Sequence, residues 1–347
     1  MLKINYFFTS ILVACKDRLM IVKFALSGAL IFSLVCTYAS DAQVRGLPRV
    51  GFIFSTGAPG ESSPLSDAFQ QKLGDLGYVE GKNILVERRY AEGRLDRMPT
   101  LVSDLVQQKV NVIVAPNNVV IRAARQATTT IPIVMISSVD PVAAGYVEKF
   151  ERPGGNITGV AWLLRDISAK RVELLKELLP KLSRVAILWD SDGPGPAIAV
   201  KEYEAAARAF HLESKSLEVR GPKPDFQAAF QLAKTTRQDA VIVVANPLMA
   251  QHAKDVFELA TRYRLPSMTE EGRFANAGGL VSYGPSLADL YARAAEYVAE
   301  ILQGAKPNDL PVKLASKFEI FINLKTSQQI GLVMPQHVLV QADKVIK

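Results

Sequence analysis

VNVIVAPNNVVIRAARQATTTIPIVMISSVD, residues 110–140, decides how this chain is read. It opens as an apolar strand over 110–115, turns at Pro116-Asn117, continues as a helix, enters a second buried strand over 131–136 and ends in Ser137-Ser138-Val139-Asp140-Pro141. In an open parallel sheet such strand-to-helix turns lie along one edge, and ligands bind in the crevice beyond the carboxyl ends of the strands. That edge is the first candidate for a site.

The unit occurs twice. Residues 238–270, QDAVIVVANPLMAQHAKDVFELATRYRLPSMTE, again give a buried strand, an Asn/Pro turn, a helix and a Leu-Pro strand. Ile131-Pro132 maps onto Leu265-Pro266 at an offset of 134, and the strand RVGFIF at 49–54 maps onto RVAILW at 184–189 at an offset of 135. Buried parallel strands all resemble Val/Ile runs, but chance would not keep nearly one offset at several places. Two similar α/β halves are expected.

Working outward, strands and helices alternate. A strand over 50–54 leads to a helix started by Ser63-Pro64, an N-cap followed by Pro at the first helical position. A strand over 83–89 and a helix over 95–108 precede the opening stretch, and a short helical segment is expected after Pro141. A strand over 156–163 carries the chain out of the first half, and a helix over 167–179 leads to the strand 183–190. The second half repeats the cycle. Beyond it come a strand over 280–283, an amphipathic helix over 286–303, a strand over 318–324, a short helix over 325–330 and a tail with no clear pattern. Such alternation means α/β architecture with doubly wound parallel sheets.

The chain has 347 residues, enough for two domains each with its own core. With 49% hydrophobic and 22% charged residues it is globular in composition. The amino terminus differs in kind: Met20 to Lys23 is a short basic start, and FALSGALIFSLVC at 24–36 has the length of a signal-peptide core, too short to span a bilayer comfortably. Small residues at Ala39 and Ala42 offer cleavage positions. Residues 1–42 are therefore expected to be an export leader, with translation starting at Met20, and the remainder a soluble periplasmic protein. Lipid anchoring through Cys15 or Cys36 fits less well, because charged residues follow the first and bulky Leu34 and Val35 precede the second.

Both cysteines fall in that leader, so the remainder offers no disulfide, thiolate nucleophile or Cys-based metal site. The formal net charge of +7 is scattered, without a basic run interleaved with aromatics, which argues against nucleic acid as a partner. His211, His252 and His337 are isolated, with no metal-ligand spacing. No G-x-S-x-G elbow, G-x-G-x-x-G fingerprint or P-loop is present, so no cofactor and no catalytic residues are expected.

Several motifs run in order over nearly the whole chain: LGYVEG at 76–81, YAEG at 90–93, DPV at 140–142, RPGGNITG at 152–159, VSYGP at 281–285, GAKP at 304–307 and INLKT at 322–326. As a set they resemble the ABC-transporter substrate-binding proteins related to bacterial tryptophan/tyrosine-binding proteins. The resemblance implies a type I periplasmic-binding-protein fold, with two lobes joined by three crossovers, a small-molecule ligand in the cleft, and an inner-membrane permease and ATPase as partners of a monomer. It divides the chain into 48–160 plus 284–309 as lobe one and 161–283 plus 310–347 as lobe two. APNN at 115–118 departs from the small Gly/Ser/Thr residues expected there, so the substrate is not carried over.

The strand ends then name the candidate ligand-binding residues. Ser55, Thr56, Asn117, Asn118, Ser137, Ser138 and Asp140 end strands of lobe one, and Asp190, Asn246 and Glu270 end those of lobe two. Ser63-Pro64, Asp140-Pro141 and Asn246-Pro247 place backbone N–H groups at helix starts, where a carboxylate is favoured, although such residues are also ordinary caps. Asp140, Asp190 and Glu270 or Glu271 are candidate partners for a ligand ammonium; neighbouring Glu270 and Glu271 diverge in an extended segment, which disfavours a general acid/base couple. Trp162 and Tyr283 are candidates to stack on an apolar or aromatic ligand, as is Phe54, which its apolar run also reads as core. The expected function is the extracytoplasmic substrate-binding component of an ABC importer for an amino acid or related zwitterion. A ligand-sensing subunit for a membrane receptor and an exported enzyme acting in the cleft are the alternatives.

Overall fold

The computed structural model describes residues 46–61, 63–192 and 194–347. The expected leader, the start at Met20, the cleavage site and both cysteines lie outside the described residues.

From Arg49 onward the chain builds two sheets. The first contains β1 (Arg49–Phe54), β2 (Leu85–Tyr90), β3 (Val112–Ala115), β4 (Ile133–Ser137), β5 (Ile157–Ala161) and β11 (Lys313–Leu314). Their order is β11-β5-β4-β3-β1-β2, parallel throughout. The second contains β6 (Arg184–Asp190), β7 (Glu213–Val219), β8 (Ala240–Val243), β9 (Ser267–Thr269), β10 (Val281–Pro285), β12 (Phe318–Asn323) and β13 (Lys344–Ile346), in the order β13-β12-β10-β9-β8-β6-β7. The expected α/β class with two similar parallel-sheet lobes is what the chain adopts, with one exception: β10 and β12 pair antiparallel. The chain leaves the second sheet on β10 and returns beside it on β12, so the two strands must run in opposite senses.

Each sheet is covered on both faces, as parallel sheets require. On one face of the first sheet, α1 (Pro64–Asp75) and the helix Leu287–Leu302 pack together, burying Phe69 and Leu73 against Leu290, Ala294 and Val298 over Val50 and Phe52. That contact explains why a helix beyond the second repeat exists: it completes lobe one. The opposite face is closed by α2 (Met98–Gln107) and α3 (Asn118–Ala127) through Val102, Leu105, Val120 and Ile121.

The repeat is visible in individual hydrogen bonds. Arg49 N donates to Asn111 Oδ1 at 2.8 Å, and Arg184 N donates to Asp239 Oδ2 at 2.8 Å. In return Asn111 N donates to Arg49 O and Asp239 N to Arg184 O. The same staple therefore joins the starts of β1 and β3 and of β6 and β8. Burial raises the affinity of Asp239 for a proton, but bonds from Ser183 and Arg184 outweigh it and hold the carboxyl below the usual range. A depressed pKa contributes stability that is complete above the unfolded value of about 3.9 and is lost as pH falls through the folded value. Urea titrations between pH 5 and 2 should show a shallower acid limb in Asp239→Asn than in the parent; coincident limbs would show that the staple owes nothing to charge.

Some boundaries differ from expectation. The chain passes between the sheets three times: between Ala161 and Leu164, between Pro285 and Leu287, and between Leu314 and Phe318. The third passage falls later than the expected 309/310 boundary, because Lys313 and Leu314 pair with Val160 and Ala161 at the edge of the first sheet and Thr158 Oγ1 donates to Leu310 O at 2.6 Å. Gly284 and Pro285, expected in lobe one, pair with Glu319 and Phe318 in the second sheet. The segment after Pro141 is a series of turns, since Asp140 Oδ1 accepts from Val142 N and Ala143 N and closes the chain locally. The tail has structure of its own, a short helix Gln336–Val340 and β13, which joins β12 in parallel.

Candidate ligand-binding cleft

The carboxyl ends of the two sheets border one cleft of about 1930 Å³. Of the sequence-predicted residues, Ser55, Thr56, Asn117, Asn118, Ser138 and Trp162 line it from lobe one, and Asp190, Asn246 and Glu270 from lobe two. Three others do not line it. Ser137 is fully buried and its hydroxyl bonds to Val139 O at 2.9 Å, within its own turn. Asp140 is occupied by the turn amides of Val142 and Ala143. Tyr283 stacks on Phe318, its diagonal neighbour on the same face of the β10–β12 pair, with ring centroids 5.8 Å apart.

The two walls are built on one plan. In lobe one, Asn117 caps α3, accepting from Val119 N and Val120 N, and its Nδ2 donates to Ser55 Oγ at 2.7 Å. In lobe two, Asn246 caps the short helix Pro247–Gln251, accepting from Met249 N, and its Nδ2 donates to Asp190 Oδ2 at 2.7 Å. Ser55 and Asp190 thus hold equivalent places at the ends of β1 and β6, one a neutral hydroxyl and the other a carboxylate. Loss of either cap should cost about 1 kcal/mol of stability. Asn117→Ala is therefore expected to lower the urea midpoint modestly with an unchanged denaturant slope; a parental midpoint would show that the cap adds nothing in place.

Asp190 is 7% exposed. Among the described residues its oxygens accept only from neutral donors, Asn246 Nδ2 and Asp192 N at 3.0 Å, and no Lys, Arg or His forms an ion pair with it. A nearly buried carboxylate costs free energy unless a cation matches it. Glu270 is in the opposite position. Its Oε1 accepts from Tyr203 Oη at 2.6 Å and from Arg171 Nη1 at 3.2 Å, and its Oε2 accepts from Ala245 N at 3.0 Å. Burial pushes the Glu270 carboxyl up, while Arg171 and the bonds from Tyr203 and Ala245 pull it back. Its charge is matched from within the protein.

Aromatic surface lies on lobe one. Phe54 and Tyr90 stack with centroids 4.9 Å apart and planes 11° from parallel, and both line the cleft. Tyr90 is not among the sequence-predicted cleft residues, yet β1 and β2 pair in parallel with Phe54 opposite Tyr90, so β2 ends on the same edge. Phe54 serves two ends, stacking on core Phe52 at 4.5 Å while meeting the cleft. On the other wall Glu271 pairs with Arg273, also missed, and both face the cleft.

Two α/β lobes with a cleft between the carboxyl ends of their sheets define a solute-binding protein of the type I periplasmic class. Residues 63–346 match the family model for ABC transporter substrate binding protein, and the chain belongs to that family. Among its relatives, the tyrosine-binding protein of Clostridioides difficile (strain R20291) is 28% identical over 265 residues, covering 76% of this chain and 75% of that protein. The ABC domain from Streptococcus pneumonia solved in complex with L-Trp is 25% identical with a TM-score of 0.77, covering 87% of this chain and 100% of that one. A conserved domain protein from Vibrio cholerae o1 biovar eltor is 26% identical with a TM-score of 0.77, covering 86% of this chain and 100% of that one. The protein is thus the substrate-binding component of an ABC transporter, receiving a small molecule and working with the other transporter subunits. No helix among the described residues is long and apolar enough to cross a membrane.

Proposed function

We propose that the cleft captures a zwitterionic amino acid, with an aromatic one the first candidate, and that closing of the lobes presents it to an inner-membrane permease and its ATPase. The observation that carries this reading is Asp190, a nearly buried carboxylate on the cleft wall with no cationic partner among the described residues. A ligand ammonium supplies that partner. The ligand carboxylate then meets the Ser55, Thr56 and Ser138 hydroxyls and the amino end of α3, where a negative charge is favoured. Phe54, Tyr90 and Trp162 receive the side chain. The names of the relatives, a tyrosine-binding protein and an L-Trp complex, support the same class.

The cleft volume exceeds the roughly 300–1,000 Å³ typical of small-molecule pockets, so a ligand of this size is enclosed only when the lobes rotate together. The protein acts in this reading as an exported monomer that returns its ligand unchanged. A thermal-shift screen of amino acids, amides and small carboxylates tests it. At 100 times its dissociation constant a ligand stabilises by about 2.7 kcal/mol, a rise of roughly 4 °C for a protein of this size. L-Tyrosine or L-tryptophan should produce the rise; a response to uncharged compounds and none to amino acids would sink the reading.

A further inference from the structure

Arg171, fully buried on the helix Leu164–Leu178, makes a set of bonds that ligand contact alone does not explain. Its Nε donates to Tyr283 O at 2.6 Å, and its Nη1 reaches Tyr203 Oη at 2.8 Å and Glu270 Oε1 at 3.2 Å. Glu270 in turn holds Ala245 N through its other oxygen. The bonds therefore join two distant places. One is β10, the strand on which the chain leaves lobe two for lobe one; the other is the Ala245-Asn246 turn, whose Asn246 orients Asp190 in the cleft. A buried guanidinium suits this task where an ammonium would not, because its planar fork fixes several directions at once.

The packing at this point is close and incompletely bonded. Gly284, on β10, has no Cβ because one would overlap the Glu270 carbonyl oxygen, and the space it leaves is bordered by Arg171 Nη2. That Nη2, with Ser168 Oγ on the same helix and Ser282 Oγ on β10, is buried without a hydrogen-bond partner among the described residues. Buried polar atoms left unpaired are uncommon in folded proteins. Three of them on the helix and strand that meet at a lobe junction mark a seam with a second arrangement to offer, as hinge rotation requires.

We propose that Arg171 is the positioning residue of the hinge, tying β10 through Glu270 to the Ala245-Asn246 turn, so that lobe rotation and the placing of the ligand-facing turn are a single event. The seam is poised to shift: when β10 moves, the spare donor on Nη2 finds an acceptor and the turn follows through Glu270.

Hydrogen exchange of the ligand-free full chain, read by mass spectrometry on peptides covering 240–250 and 280–286, tests the tie. Arg171→Lys keeps the charge and loses the fork, and Tyr203→Phe and Glu270→Gln keep the shapes; all three preserve most of the packing if Arg171→Met does not fold. Both segments should exchange faster together, by about tenfold, while peptides from β1 and β3 keep parental rates, since local openings are separable from global ones. The double variant Arg171→Lys/Glu270→Gln should exchange no faster in either segment than the faster single variant, because residues acting as one unit are non-additive. Acceleration of one segment alone, additive effects in the double variant, or a uniform rise throughout the chain would reduce Arg171 to an ordinary core contact and overturn the proposal.

Discussion

Asp190→Asn should abolish most amino-acid binding while leaving the ligand-free protein at least as stable as its parent. The two effects have one cause. In the empty cleft Asp190 is nearly buried and, among the described residues, bonded only to neutral donors, so its charge is a cost that a neutral amide removes. The amide oxygen still accepts from Asn246 Nδ2, so the turn stays in place, and the bond from Asp192 N, which would face the amide NH2, is the one given up. With ligand bound, the same charge is half of a desolvated pair, and truncating one member of such a pair typically costs 2–5 kcal/mol. Taking about 3 kcal/mol, the dissociation constant rises by roughly two orders of magnitude. Ser55 occupies the matching place in lobe one without a charge, so Ser55→Ala should weaken binding far less. An affinity loss in Asp190→Asn accompanied by a proportionate loss of ligand-free stability would mean that the residue holds the fold and not the ligand.

A large loss of stability from a single methyl group is expected at Gly159. This residue lies in β5 directly opposite Met135 of β4 and has φ +135°, a region that residues with a Cβ rarely adopt. A Cβ there would overlap the Met135 carbonyl oxygen, which is backbone and has no rotamer by which to yield. Backbone strain of about 1–3 kcal/mol adds to an overpacking cost of about 1–3 kcal/mol. Gly159→Ala should therefore lose roughly 2–6 kcal/mol, a fall in Tm of about 3–9 °C, and it should do so in lobe one. Gly155→Ala, where nothing lies within 4 Å of the added atom, is the control and should stay close to the parent. Equal melting of the two variants would show that the β4–β5 ladder tolerates the displacement.

Much of this architecture was legible in the sequence because a parallel sheet writes itself plainly. Buried strands are apolar runs, and turns at their carboxyl ends carry Asn, Ser and Asp; two copies at nearly constant offset revealed both lobes. The same logic found both capping asparagines, Asn117 and Asn246, and placed Asp190 among four candidate carboxylates. It failed where a residue's role depends on orientation around a strand or on contacts between distant elements. Tyr283 sits at the junction, but a diagonal cross-strand contact engages its ring with Phe318.

Glu270 looked available to a ligand because its partners, Arg171 and Tyr203, lie on helices 99 and 67 residues away. One trace of this was present. Arg171 falls on the apolar stripe formed by Ile167, Leu174, Leu175 and Leu178, where a charge demands a buried partner. The late third crossover left no such trace, because Lys313 and Leu314 form a two-residue edge strand too short for any periodicity.

Isothermal titration of the chain with L-tyrosine and L-tryptophan, and with 3-(4-hydroxyphenyl)propionate and indole-3-propionate, which lack only the ammonium group, tests most directly whether the cleft is built for a zwitterion. A saturable one-to-one isotherm is expected for at least one of the amino acids, with its des-amino counterpart weaker by about two orders of magnitude and that gap largely closed in Asp190→Asn. Equal affinity for the amino acid and its des-amino counterpart in the parent protein would contradict the role of Asp190 and with it the zwitterion reading of the cleft.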